Sequence, residues 1–155
     1  MHTKVRHILS ALLPMVVTIG GVAIADPASA APPARCTQEG FSNGRTVTAD
    51  NAWNGNGAVV RATLCWQRMA GTDLYHTKTW YSVTDNARNG AGATIYFHYN
   101  RGDRMYDYVP PVEHRAWEFG ETVSWVKTID YAKNLYVVAC LTNADRAVHH
   151  CGNEA

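Results

Sequence analysis

The chain reads as an all-β protein, an antiparallel β-sandwich of about seven to nine short strands stabilised by disulfides. Three observations carry that reading. Leu74–Asp85 alternates cleanly, with Tyr75, Thr77, Thr79, Tyr81 and Val83 on one face and His76, Lys78, Trp80, Ser82 and Thr84 on the other. A period of two sustained over so many residues marks a half-buried strand. Short apolar or alternating runs then recur between glycine-, asparagine- and proline-marked turns, the spacing of a sandwich rather than a closed barrel. Finally, no window of about twelve residues after Ala30 carries the i, i+3, i+4, i+7 stripe of an amphipathic helix.

Residues 1–30 stand apart. His2, Lys4, Arg6 and His7 make a basic start, the run from Ile8 to Ala25 is apolar, and Ala28-Ser29-Ala30 ends it on small residues. Signal peptidase admits only small side chains at those last positions, so the segment reads as a signal peptide cut after Ala30. Ala23-Ile24-Ala25 also meets the small-residue rule but leaves Pro27 second in the mature chain. A retained membrane anchor is the alternative, against which Pro14, Gly20 and Gly21 interrupt the run and no basic stop-transfer cluster follows. The remaining chain is a stiff extended leader at 31–35, with Pro32-Pro33, and a single secreted domain at 36–155.

Within that domain the first strand is Arg45–Ala49, followed by the Asn54-Gly55-Asn56-Gly57 loop and a long run at Ala58–Gln67. Leu74–Asp85 and Ala93–Asn100 flank Asp85–Gly92, whose Asn and Gly tolerate positive φ, and pair as a hairpin. In the second of these, Ile95, Phe97 and Tyr99 share one side, Tyr96 and His98 the other. Arg101-Gly102-Asp103 is read as a turn rather than an integrin-recognition triplet. It leads into Met105–Val109, which Pro110-Pro111 ends because proline cannot donate to a ladder. Trp117–Phe119, Thr122–Ile129 and Leu135–Thr142 complete the set, with Val148–Cys151 as a short edge strand.

The four cysteines are Cys36, Cys65, Cys140 and Cys151, an even number in an exported chain, where disulfides are the rule. Of the three pairings, Cys36–Cys65 with Cys140–Cys151 is favoured, because each ties neighbouring strands or staples a terminus. A zinc site lacks any C-x-x-C or H-x-x-x-H clamp. Loss of Lys4, Arg6 and Asp26 with the leader turns 14 basic and 13 acidic residues into 12 and 12. A mature chain near zero net charge is a poor ligand for nucleic acid or a membrane surface.

The hairpin through Asp85-Asn86-Ala87-Arg88-Asn89-Gly90, the late strand Tyr136–Cys140 and the closing Cys151 together resemble the small secreted, disulfide-containing β-sandwich proteins of Streptomyces-type actinomycetes. The resemblance covers most of 36–152 and implies fold and compartment. A functional subset, the small adaptor subunits of secreted umbrella-shaped toxin particles, is similar in size and export, and the chain carries no diagnostic adaptor motif.

Nothing assembles an active site in the sequence. Ser42, Ser82 and Ser124 lie outside any G-x-S-x-G turn. Glu113, Glu118 and Glu121 read as solvated turn residues rather than a glycosidase pair. His149 and His150, as strand neighbours, are expected on opposite faces and so not to ligate one ion together. Asp85, Asn89 and Asp103 are accounted for by turns without calcium. The expectation is therefore a non-catalytic module without cofactor or metal, binding an extracellular protein or peptide through a sheet edge, with Arg45–Ala49 the first candidate edge. The alternative is a carbohydrate-binding module stacking sugars on exposed rings, Trp53 first, with Trp80 and Tyr106 behind it. A small secreted hydrolase or toxin is the third class.

Overall fold

Alternation along the chain sets the sheet. In the computed structural model, residues 31–155 are described, so the signal-peptide reading of 1–30 lies outside them. The strands are β1 (Asn43–Asp50), β2 (Ala58–Arg68), β3 (Tyr75–Asp85), β4 (Gly92–Arg101), β5 (Arg104–Tyr108), β6 (Thr122–Thr142) and β7 (Val148–His149). All pair antiparallel, in the order β1-β2-β3-β6-β4-β5, with β7 on β6. The all-β antiparallel expectation holds. The seven strands run as one continuous ladder rather than as two separate sheets.

One strand folds that ladder over. The first half of β6 pairs with β3, from Thr84↔Thr122 to Tyr75↔Ala132, and its second half pairs with β4, from Asn100↔Lys133 to Gly92↔Thr142. The switch falls where Tyr131 and Asn134 take left-handed φ values of 60° and 53°. Asparagine tolerates that region, whereas a tyrosine there costs on the order of 1 kcal/mol. The inward residues of the two halves, Val60, Leu64, Tyr81 and Val83 against Ile95, Phe97, Val137 and Ala139, make one core. Tyr81 meets Phe97 edge-on at 5.4 Å although β3 and β4 share no hydrogen bonds.

Both expected disulfides are present, Cys36–Cys65 and Cys140–Cys151. The first pins a single-turn helix, α1 (Ala34–Gln38), to β2. The extended leader therefore ends at Pro33, not at residue 35, because the Cys36 N–H closes onto the Pro33 carbonyl at 2.8 Å. The second disulfide straps the C-terminal segment along β6, where Gly152 N–H donates to Ala139 O (2.9 Å) and Ala155 N–H to Val137 O (3.0 Å).

Four further sequence expectations are corrected. Leu74–Asp85 and Ala93–Asn100 do not pair as a hairpin: β3 pairs with β2 and β6 and β4 with β6 and β5, so the first and second halves of β6 take the places each was expected to offer the other. Thr122–Ile129 and Leu135–Thr142 are halves of β6, since the polar segment between them bends the ladder without reversing it. Trp117–Phe119 is not a strand. Glu121 Oε2 accepts the N–H groups of Trp117 and Glu118 and closes a turn there, and Ala116 alone bridges to Ala93. The last strand is only Val148–His149. No helix among the described residues is long and apolar enough to cross a membrane.

Candidate functional site

β1 ends the strand order, and among the described residues nothing pairs with its outer side. It is eight residues long and contains neither lysine nor proline, the two residues that most often guard such an edge. The expected edge, Arg45–Ala49, is thus the middle of an end strand. Thr46 and Thr48 are exposed, while Val47 and Ala49 pack on the core.

Beside β1 lies a cleft of about 310 Å³, near the lower bound of small-ligand sites. Arg45 belongs to both features, because its register opposite Leu64 puts it on the inner face. Leu64, Ala132 and Leu135 supply apolar lining, Trp66, Tyr75 and Tyr136 supply rings, and the β6 bend at Lys133 and Asn134 closes it. The Arg45 guanidinium lies 5.8 Å from the centre of the Tyr136 ring and donates to Leu135 O at 3.5 Å. It has no carboxylate partner among the described ion pairs. Lys133 differs, bonding Asp73 at 2.7 Å; that hydrogen bond and the opposite charge hold the Asp73 carboxyl below its ordinary range and the Lys133 ammonium above. The lining offers cations, hydroxyls and rings, and no carboxylate or thiol. Such a cleft can seat an apolar group with a negative neighbour.

The three rings singled out from sequence are not brought together. Trp53 is 67% exposed in the loop between β1 and β2. That loop is held by buried Asn51, whose Nδ2 donates to Asn54 O and His150 O and whose Oδ1 accepts from Ala58 N–H. Trp80 is half-buried on the outer face of β3, packed on Cys36, Phe41 and Cys65 with Arg35 and Lys78 over its ring at 5.3 and 4.8 Å. Tyr106 stacks on Tyr99 at 5.9 Å in the β4–β5 pair. Sequence reasoning missed Arg45, Trp66, Tyr75 and Tyr136 as a group. The one signal for them was a charge at an inward position of an alternating strand.

The other weighed residues take local roles. Asp85 Oδ1 accepts the Ala87 N–H and Asn89 Oδ1 the Ala91 N–H, both turn contacts. His149 and His150 are not strand neighbours, since β7 ends at His149. His150 has φ 48°, which swings its ring against His149 at 4.7 Å between centres. Among the described residues no group of three or more His, Cys, Asp or Glu could hold a metal ion. No family model, curated protein or solved structure matches the chain.

Proposed function

We propose that the chain is an exported, non-catalytic interaction module that captures an extended segment of an extracellular protein by adding it to β1 as a further strand. The observation that carries this reading is the eight-residue, lysine- and proline-free end strand whose Arg45 also lines the neighbouring cleft. In strand addition the main-chain bonds supply affinity and pockets for alternate side chains supply selectivity. Two disulfides fit an oxidising compartment, which supports export alongside the reading of residues 1–30. An adaptor role in a secreted toxin assembly is one form of the same proposal.

Carbohydrate binding is the second reading, carried by Trp53, whose ring is open to solvent. A capture experiment from culture supernatant, with mass spectrometry of the bound protein, separates the two. The bound protein should protect the amides of residues 43–50 from hydrogen exchange. Binding should survive Trp53→Ala and be lost when proline replaces whichever of Thr46 and Val47 points its N–H away from β2. A glycan array that responds, with the response lost in Trp53→Ala, overturns the strand-addition reading.

A further inference from the structure

At the opposite end of the strand order, cations converge with no ion pair to an acid among the described residues. In the β4–β5 register Arg101 lies directly opposite Arg104, and Tyr99 directly opposite Tyr106. Like charges placed so in an antiparallel pair weaken it. The Arg101 guanidinium sits over both tyrosine rings, at 5.6 and 5.7 Å. From the first half of β6, Lys127 places Nζ 3.6 Å from the centre of the Tyr108 ring. Burial lowers the pKa of that ammonium, and the charge of Arg101 lowers it further, so the two cations act on each other.

The acids nearby make no ion pair with these cations. Asp107 faces His98 on the other side of β5, at 3.5 Å, Asp103 occupies the turn, and Glu113 acts on Tyr108, whose hydroxyl pKa is raised by burial and then by that carboxylate. Among the described ion pairs none involves Arg101, Arg104 or Lys127. Packing accounts for one cation over one ring. It does not account for Lys127 held within reach of the charge of Arg101, with Arg104 directly opposite Arg101 in the ladder.

We infer that Arg101, Arg104 and Lys127, with the tyrosine rings beneath them, form a binding site for an oxyanion, the chemistry shared by a free inorganic anion and an acidic group on a larger ligand. A seated oxyanion would offset the mutual repulsion and accept charge-assisted hydrogen bonds from both strands. The guanidinium groups provide forked donors, and Lys127 a point charge. The site lies at the other end of the sheet from β1 and does not rest on strand addition.

The test is an NMR titration of the 15N-labelled protein with sodium phosphate, sodium acetate and sodium glucuronate, at ionic strength held constant with sodium chloride. Saturable shifts confined to residues 99–108 and the neighbourhood of Lys127 are expected. Phosphate and acetate binding with no gain for glucuronate would assign the site to free anions. Tighter glucuronate binding would assign it to acidic sugars. Lys127→Met, which keeps the stem against Tyr108, and Arg101→Gln should each weaken binding about tenfold, the equivalent of one charge-assisted bond. Arg88→Gln, remote on Phe119, should leave it unchanged. Non-saturating shifts, shifts spread evenly over surface cations, or equal binding by Lys127→Met and Arg101→Gln would overturn the inference.

Discussion

The two end strands of the sheet, β1 and β5, answer the same physical problem in opposite ways. Each leaves one row of backbone donors and acceptors without a strand partner among the described residues. β5 is short, almost wholly exposed and flanked by cations from β4 and β6. Brevity and charge are how natural sheets discourage a new strand. β1 is longer, weakly charged and sits beside an apolar cleft. The comparison teaches that an unpaired edge is not by itself a docking site. What distinguishes the receptive edge is the absence of guards together with lined space for a side chain.

The largest effects should come from beneath these edges. Phe97 is fully buried, pairs with Tyr108 of β5 and touches its ring. Phe97→Ala should cost about 3–5 kcal/mol in denaturant unfolding. Leu64 is as deeply buried but lines the cleft, so Leu64→Ala should cost nearer about 2 kcal/mol, the small end for such truncations. A reversal of that order would mean that the cleft side is the more tightly packed.

Gly44, at the start of β1, tests how firmly this strand is clamped. A Cβ there would strike Cys36 Sγ and crowd Leu64 O at 2.9 Å. Gly44→Ala should destabilise by about 1–3 kcal/mol, as overpacking does. Part of that penalty should vanish in a Cys36→Ala, Cys65→Ala background, leaving the share set by the Leu64 carbonyl, and a penalty unchanged there would show that the Cys36 sulfur carries none of it.

Lys127→Met probes the guarded side. The variant loses the attraction of cation for ring and also the cost of a desolvated charge, so at neutral pH the net change should stay within about 1 kcal/mol. The sign of the pH dependence is fixed. A folded-state pKa below 10.5 means that the unfolded chain holds the proton more tightly, so stability rises with pH through that window. Unfolding midpoints measured between pH 9 and 11 should therefore climb in the wild type relative to the variant.

The smallest effect on stability should come from Thr46→Lys, an exposed change on β1 expected to stay within about 0.5 kcal/mol. It converts the open edge into a guarded one. Capture of an extended partner should then fail while the unfolding curve stays in place. Capture that persists would remove β1 as the docking edge.

Much of the sheet was legible where one face of a strand meets solvent. The alternation read over Leu74–Asp85 appears in β3, where Thr77, Thr79, Tyr81 and Val83 share the buried face, whereas β4 is buried on both faces from Gly92 to Ile95 before Phe97. The disulfides were legible because each ties a terminal segment to a strand beside it, α1 to β2 and the C-terminal segment to β6. The continuity of β6 was not, since a ladder that bends through Tyr131 and Asn134 looks locally like a turn. The cleft was hidden for a different reason. Arg45, Trp66 and Tyr136 come from three strands and meet only through tertiary packing. Trp80 drew attention as a ring, yet its environment is the Cys36–Cys65 disulfide, which alternation alone does not reveal.

The long strand β6 has a consequence for how the molecule comes apart. Because its 21 residues belong to both halves, neither half retains a complete ladder once β6 leaves it. There is no seam along which a stable sub-unit could detach, so opening should be all-or-none. Hydrogen exchange of amides on β3 and on β4 should then report one common free energy. A protease nick at residues 130–134 should release both halves together, leaving no folded fragment to survive.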